Sequence, residues 1–306
     1  MGGTKTAIMA VECGSGRTLT SQRFATPDDL DPAAFVARLH DSASDMLAHI
    51  GCDVDRVRAV GCAVPGQVDT KGAIIAAGNL GWRDVPLREL FEQRWQVPVF
   101  VEQDGNAGAL GEMWCGAARS LQNFVFLALG TGIGAGIVLD GRIHRGAHHA
   151  AGEAGDLIAE ARAASGQRNL ADRLGSRALR RRLRTEFRVQ LEPGEAIAGS
   201  QADPRFRQFA KDVANDLAVA VIAIAVLIDP EAIIFGGGTA AGGEELIARV
   251  RERVQHQLWV EPALILAGRG EDAQLYGAVV GAMTKIDSKL DSGAAATLAL
   301  QRRKYV

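Results

Sequence analysis

Cysteine is scarce in this 306-residue sequence. The four residues, Cys13, Cys52, Cys62 and Cys115, lie far apart and form no CxxC pair. That spacing supports neither a disulfide framework nor a thiolate zinc site, and it predicts four isolated core thiols. Proline is scarce too, nine residues against thirty-six glycines, a balance that points to tight turns and close backbone approaches rather than disordered linkers. No apolar run reaches the roughly 20 residues that a bilayer requires and no leader pattern opens the sequence, so the expected setting is cytoplasmic. Charge of one sign is also missing: 34 Lys and Arg against 36 Asp and Glu leave −2. Such a balance provides no global field toward membrane surfaces or nucleic acid. What is present, 47% hydrophobic and 23% charged residues, suits one or two packed cores.

Periodicity divides the chain into two runs of alternating strands and helices. Residues 4–11 and 17–24 read as strands joined by a turn at 13–16, and 32–50 as an amphipathic helix carrying Phe35, Leu39, Ala43 and Leu47. Residues 57–64 and 98–102 read as buried strands, and 105–115 as a helix. The pattern then restarts with strands at 124–129 and 135–139, a polar helix over 170–187 and a long helix over 205–228. It closes with a strand at 233–235, a helix at 244–257, a strand at 263–266 and a helix at 274–283. The expected organisation is two α/β domains, 1–115 and 116–290, around a cleft, followed by a polar tail at 291–306. The arginine run at 180–184 reads as a solvated helix face.

Glycine-bearing turns recur at strand ends. Gly2-Gly3-Thr4-Lys5 opens the chain, Gly66 follows Pro65, Gly130 to Gly136 follows an apolar strand, and Gly236-Gly237-Gly238 follows Ile233-Ile234-Phe235. Glycine lets backbone N–H groups approach phosphate oxygens, and the hydroxyls of Thr4 and Thr131 add donors. Turns of this type in both halves suggest a nucleotide held across the cleft. Asp104 lies where a strand meets a helix, a position that suits either a helix cap or a general base toward a hydroxyl.

Taken together the motifs become specific. Gly2-Gly3-Thr4-Lys5, Pro65-Gly66, Asn79-Leu80-Gly81-Trp82, Glu102-Gln103-Asp104-Gly105-Asn106, Leu129 to Gly136, Gly152-Glu153-Ala154-Gly155 and Gly236-Gly237-Gly238 resemble, in order and approximate spacing, those of the ROK (repressor, open reading frame, kinase) family of sugar kinases. The resemblance implies a hexokinase-like, actin-type ATPase fold in which two mixed-sheet domains close on ATP, Mg²⁺ and a hexose or hexosamine. It implies a glucokinase-like phosphotransferase of carbohydrate metabolism, and a homodimer. It makes Asp104 the catalytic base, with an ordinary carboxylate pKa. Phosphate and nucleotide contacts fall to Gly2, Gly3, Thr4, Lys5, Thr131, Gly132, Gly134, Gly236, Gly237 and Gly238. Sugar contacts fall to Gly66, Asn79, Gln103, Asp104, Glu153, Asp156 and Asp172.

Three departures from the family pattern set further expectations. Asp156 stands where the family has a zinc-binding histidine and 161–170 contains no cysteine, so no structural zinc is expected; His148 and His149 read as loop residues. A family glutamate that grips the sugar aligns with Ala171 or Asp172, which would weaken the grip if Ala171 is the match. Met1 takes the variable position of an Asp-x-Gly-Gly-Thr motif, so the apolar strand and magnesium-placing Asp before the glycines are absent, as if an internal Met had been taken for the start. The competing functional expectations are a non-catalytic sugar sensor related to the family's repressors, without a DNA-binding segment in this sequence, and another actin-like phosphotransferase acting on an acid or a polyol.

Overall fold

The computed structural model describes residues 1–13, 15–27, 31–158 and 169–286; the expectations for Gly14, for 161–168 and for the 291–306 tail lie outside the described residues. The first elements are an antiparallel pair, β1 (Lys5–Val11) and β2 (Thr18–Ala25), paired from Lys5–Ala25 onward. Helix α1 (Pro32–Ala48) starts at Asp31, whose carboxylate accepts the Ala34 N–H at 2.8 Å, with Pro32 in its first turn. Cap and proline together satisfy and pre-shape a helix start. Strand β3 (Val60–Val64) leads into a three-stranded meander, β4 (Gln67–Val68), β5 (Ile74–Ala77) and β6 (Trp82–Val85), then helix α2 (Leu87–Trp95) and strand β7 (Val99–Gln103), which runs parallel to β3. The meander and α2 are absent from the sequence reading because their strands of two to four residues are shorter than a period-2 pattern needs.

Helix α3 (Asp104–Cys115) follows β7 directly and bridges to the second half. That half holds a five-stranded sheet of order β10-β9-β8-β11-β12, built from β8 (Phe124–Leu129), β9 (Ile133–Leu139), β10 (Arg142–Ile143), β11 (Ala232–Gly236) and β12 (Ala263–Leu266). All six residues of central β8 are buried, matching its continuous apolar sequence. The helices are α4 (Leu170–Leu174), α5 (Ser176–Glu186), α6 (Pro193–Ala198), α7 (Arg207–Ile228), α8 (Gly243–Val254) and α9 (Ala273–Ile286). Helix α7 buries Phe209, Val213, Leu217 and Val221 against the sheet side that carries Val125, Leu127, Ile233 and Phe235. Helix α9 returns to pack on α3, β3 and β7.

Two expectations change. The polar helix over 170–187 is broken at Gly175, which takes an extended conformation. The break lets the Ser176 N–H reach the Gly130 carbonyl at 2.8 Å, and a Cβ at Gly175 would sit 2.7 Å from the Thr131 oxygen. Contact with the glycine turn therefore overrides helix continuity. Among the cysteines only Cys62 is buried; Cys13 is exposed and Cys52 and Cys115 are partly exposed, because they fall in turns and at a helix end rather than on inward strand positions.

The first-half strands show a further feature. Ile8, Phe24 and Val60 border one apolar cluster with Phe35, Cys62 and Val101, so the β1–β2 and β3–β7 pairs cover the same core. No ladder joins them among the described residues. In the second half β8 stands at the corresponding place, antiparallel to β9 on one side and parallel to β11 on the other. The Met1 ammonium donates to the Ala63 carbonyl at 2.6 Å instead.

Candidate active site

Asp104 occupies the first turn of α3, immediately after β7. It does not cap the helix. Gln103 holds the cap position, without a side-chain cap bond, and the Asp104 Oδ1 accepts the adjacent Gly105 N–H at 2.8 Å. Close packing of α3 against β9 fixes this position: a Cβ at Gly105 would lie 2.6 Å from the Ala135 oxygen. Burial pushes the Asp104 carboxyl above its ordinary range, opposed by the Gly105 N–H and the Met1 ammonium. This corrects the expectation of an ordinary pKa; the cause is loss of water around an anion.

Glu153 faces the same site from the loop after β10. Its Oε1 accepts the Gln103 amide at 2.8 Å. Burial and then the charges of Asp104 and Asp156 raise its pKa, against that hydrogen bond. Two carboxylates, an amide and the Asn79 side chain thus converge at the end of β7 and at the short 3₁₀ turn Gly78–Leu80. A concave site of this kind offers paired acceptors and donors to vicinal hydroxyls.

The glycine turns come together beside this polar set. Thr4 Oγ1 and Thr131 Oγ1 stand 3.3 Å apart, joining the two turns. A Cβ at Gly3 would be 2.9 Å from the Asn79 Cβ, and one at Gly134 would be 3.3 Å from the Asp104 Oδ1. One cavity of about 1000 Å³ holds these groups. Its lining includes Gly2, Gly3, Thr4, Lys5, Gly66, Asn79, Gln103 and Asp104, then Thr131, Gly132, Gly134, Glu153, Asp156, Asp172, Gly237 and Gly238. Ala171 lines it as well, and its methyl packs 3.1 Å from where Gly155 would carry a Cβ. Gly236 does not line it: it closes β11, where a Cβ would meet the Phe126 ring at 2.5 Å.

The pattern described as the ROK family matches residues 1–285. The chain belongs to the ROK family. A glucokinase of Halalkalibacterium halodurans is 31% identical, over 71% of this chain and 68% of that protein. A xylose repressor of Caldicellulosiruptor bescii is 28% identical, over 67% of this chain and 56% of the repressor, so the match spans little more than half the repressor. Among solved structures, a ROK-family glucokinase from Streptomyces griseus, in complex with glucose and AMPPNP, is 29% identical with a TM-score of 0.77, over 92% of this chain and 97% of that one. The ROK sugar-kinase fold, of the actin-like ATPase type, is therefore that of this chain, and its relatives include both glucokinases and xylose repressors.

Most of the residues singled out in the sequence line this one cavity, while part of what supports it was missed. The Glu102–Arg145 ion pair was not anticipated, although Glu102 stood within a quoted motif. The arginine run is only partly a solvated face: Arg182 bonds Asp212 at 2.9 Å and Arg180 bonds Glu192 at 2.8 Å, while Arg180, Arg181 and Arg184 line the cavity's outer wall. His148 and His149 lie in a turn. No three His, Cys, Asp or Glu side chains among the described residues form a metal-holding group. No helix among the described residues is long and apolar enough to cross a membrane.

Proposed function

We propose that this ROK-family chain transfers the γ-phosphoryl group of ATP to a hydroxyl of a hexose or hexosamine, as a glucokinase-like enzyme. The observation that carries the reading is the position of Asp104. It stands between a polar set suited to a sugar (Asn79, Gln103, Glu153 and Asp156) and glycine turns suited to phosphates (Gly2–Thr4 and Thr131–Gly134), all in one cavity. Asp104 accepts the proton of the attacking hydroxyl as its oxygen forms the new bond to phosphorus. The bond from phosphorus to the β,γ-bridging oxygen breaks and ADP leaves with that electron pair. Gly237 and Gly238, at the end of β11, line the nucleotide side.

A divalent ion fits this site in a limited way. Mg²⁺ usually takes one or two carboxylates together with substrate phosphates. Asp104 is already the proton acceptor, so the ion would be held by the nucleotide's own phosphate oxygens and water. When bound, it would neutralise charge on the transferring group.

The test is ADP release with ATP across a panel of hexoses and hexosamines. The expected outcome is saturable turnover with at least one; absence of turnover with all, despite ATP binding, would overturn the kinase reading. The second reading, a sugar sensor without catalysis, draws on the xylose-repressor relatives and on the methyl of Ala171 at the cavity wall. It predicts sugar binding by calorimetry with no ADP formed.

A further inference from the structure

Glu102 lies two residues before Asp104 and its side chain is 5% exposed. Burying a carboxylate this completely is costly unless every oxygen is matched. Its Oε1 accepts the Gln103 backbone N–H at 3.1 Å and the Asn106 Nδ2 at 3.0 Å. Its Oε2 takes both nitrogens of one face of Arg145, Nε at 3.2 Å and Nη2 at 2.5 Å. Two N–H groups of one planar guanidinium on a single carboxylate oxygen fix the head's orientation more tightly than one lysine bond would.

Arg145 is not part of α3 or β7. It belongs to the loop that leaves β10 and ends at Glu153. The same loop is tied down at two other points: the Ala151 N–H donates to the Arg145 carbonyl at 3.2 Å, and the Gly152 carbonyl accepts the Ala135 N–H at 2.6 Å. Gly152 has φ +95°, and a Cβ there would strike the Ala135 oxygen at 2.1 Å. Beyond these ties, Glu153 bonds Gln103 at 2.8 Å. The loop therefore meets the 102–104 segment twice, once through Arg145 on Glu102 and once through Glu153 on Gln103. The first contact uses a buried, fully matched carboxylate; the second uses a carboxylate whose own burial and neighbours oppose its charge.

The structure assigns Arg145 the role of a positioning residue: its fork on buried Glu102 sets the 144–152 loop so that Glu153 meets Gln103 and the sugar hydroxyls beside Asp104. This rests on the sugar-site reading above and adds a determinant of sugar affinity that does not itself touch the sugar.

The test uses the full chain, with glucose, mannose and N-acetylglucosamine as probes. Arg145→Met keeps the aliphatic stem and removes the fork. The expected result is a sugar KM raised by about 10- to 100-fold, the range that loss of a ligand-orienting partner or a displacement near 1 Å gives, with the ATP KM unchanged. Arg145→Lys should recover part of the loss. Amide exchange over 146–153 should speed in Arg145→Met while that of β7 does not. The double variant Glu102→Gln with Arg145→Met removes the unpaired buried charge. It should regain thermal stability yet keep the raised sugar KM, and it preserves the test if Arg145→Met alone fails to fold. The assignment is overturned if Arg145→Met lowers Tm without moving the sugar KM, if the double variant regains the original KM, or if ATP and sugar KM rise together. Failure of the unaltered chain to bind any of the three sugars is the distinct outcome that removes the sugar-site reading, and this role with it.

Discussion

Asp104 combines two demands that pull against each other. As a base it must be ionised, yet the protein around it favours the neutral form. Because its folded pKa lies above the unfolded value, the folded state holds a proton over a window in which the unfolded state has lost it. Stability then falls as pH rises from the ordinary carboxylate value, about 3.9, through the raised one, and the penalty is fully present above both. Asp104→Asn removes that penalty and keeps an acceptor for the Gly105 N–H. The variant should melt at a higher temperature than the parent at neutral pH, and the difference should vanish below about pH 3.9. In the same variant kcat should fall by at least about 10²-fold, the contribution of a general base. The acid limb of the parent's kcat/KM profile, which reports the free enzyme, should lie above the ordinary aspartate value. A variant with parental turnover would reduce Asp104 to a structural residue; a variant melting lower at neutral pH would show that burial does not oppose its charge.

At the scale of elements, α3 carries Asp104 at one end and is held along its length by α9. The two backbones nearly touch: a Cβ at Gly277 would lie 1.7 Å from the Ala107 oxygen, and one at Gly111 would lie 2.0 Å from the Ala273 oxygen. No flexible side chain stands there to yield. Gly277→Ala must push α9 off α3 and should destabilise by at least about 2 kcal/mol, at the middle of the overpacking range. Denaturant melts would measure it, with Gly78→Ala as the comparison, since a Cβ at Gly78 meets nothing within 4 Å. Equal stability of the two variants would refute the contact.

This scale also marks what could be read from sequence. Strands such as β8 and β11 and helices such as α1 and α7 announced themselves because each buries a continuous or periodic apolar face. The cavity residues from Gly2 to Gly238 were legible only as a set: each turn or Asp alone suits an ordinary turn or cap, and it is their order and spacing along the chain that made them specific. The rest depended on contacts across the chain. The break at Gly175 follows from a turn more than 40 residues earlier, and the Glu102–Arg145 pair joins residues 43 apart. Local periodicity does not register either. The raised pKa of Asp104 was hidden for the same reason, since it arises from burial rather than from the residue's neighbours in sequence.

At the scale of the whole molecule the two halves differ in one respect that bears on the site. The second half places β8 between β9 and β11, and β8 delivers the Gly130–Gly134 turn to the cavity. In the first half β1 and β3 have no strand between them among the described residues, and the Gly2–Thr4 turn is anchored through the Met1 ammonium on Ala63. Unpaired ladder groups over a shared core are unfavourable, and a strand supplied there would satisfy both edges. A designed apolar extension of about six residues, a common strand length, fused ahead of Met1 should pair antiparallel with β1 and parallel with β3. It should raise Tm, and it should firm the Gly2–Thr4 turn so that the ATP KM falls. It also converts the Met1 ammonium to a neutral amide. That charge now lowers the Asp104 pKa, so the acid limb of kcat/KM should move further upward in the extended chain. An alternating-polar extension of equal length removes the charge without offering a strand for the core, and should shift the acid limb while leaving Tm unchanged. If the apolar extension leaves Tm and ATP KM where they are, the gap between β1 and β3 is not a place where a strand can pair.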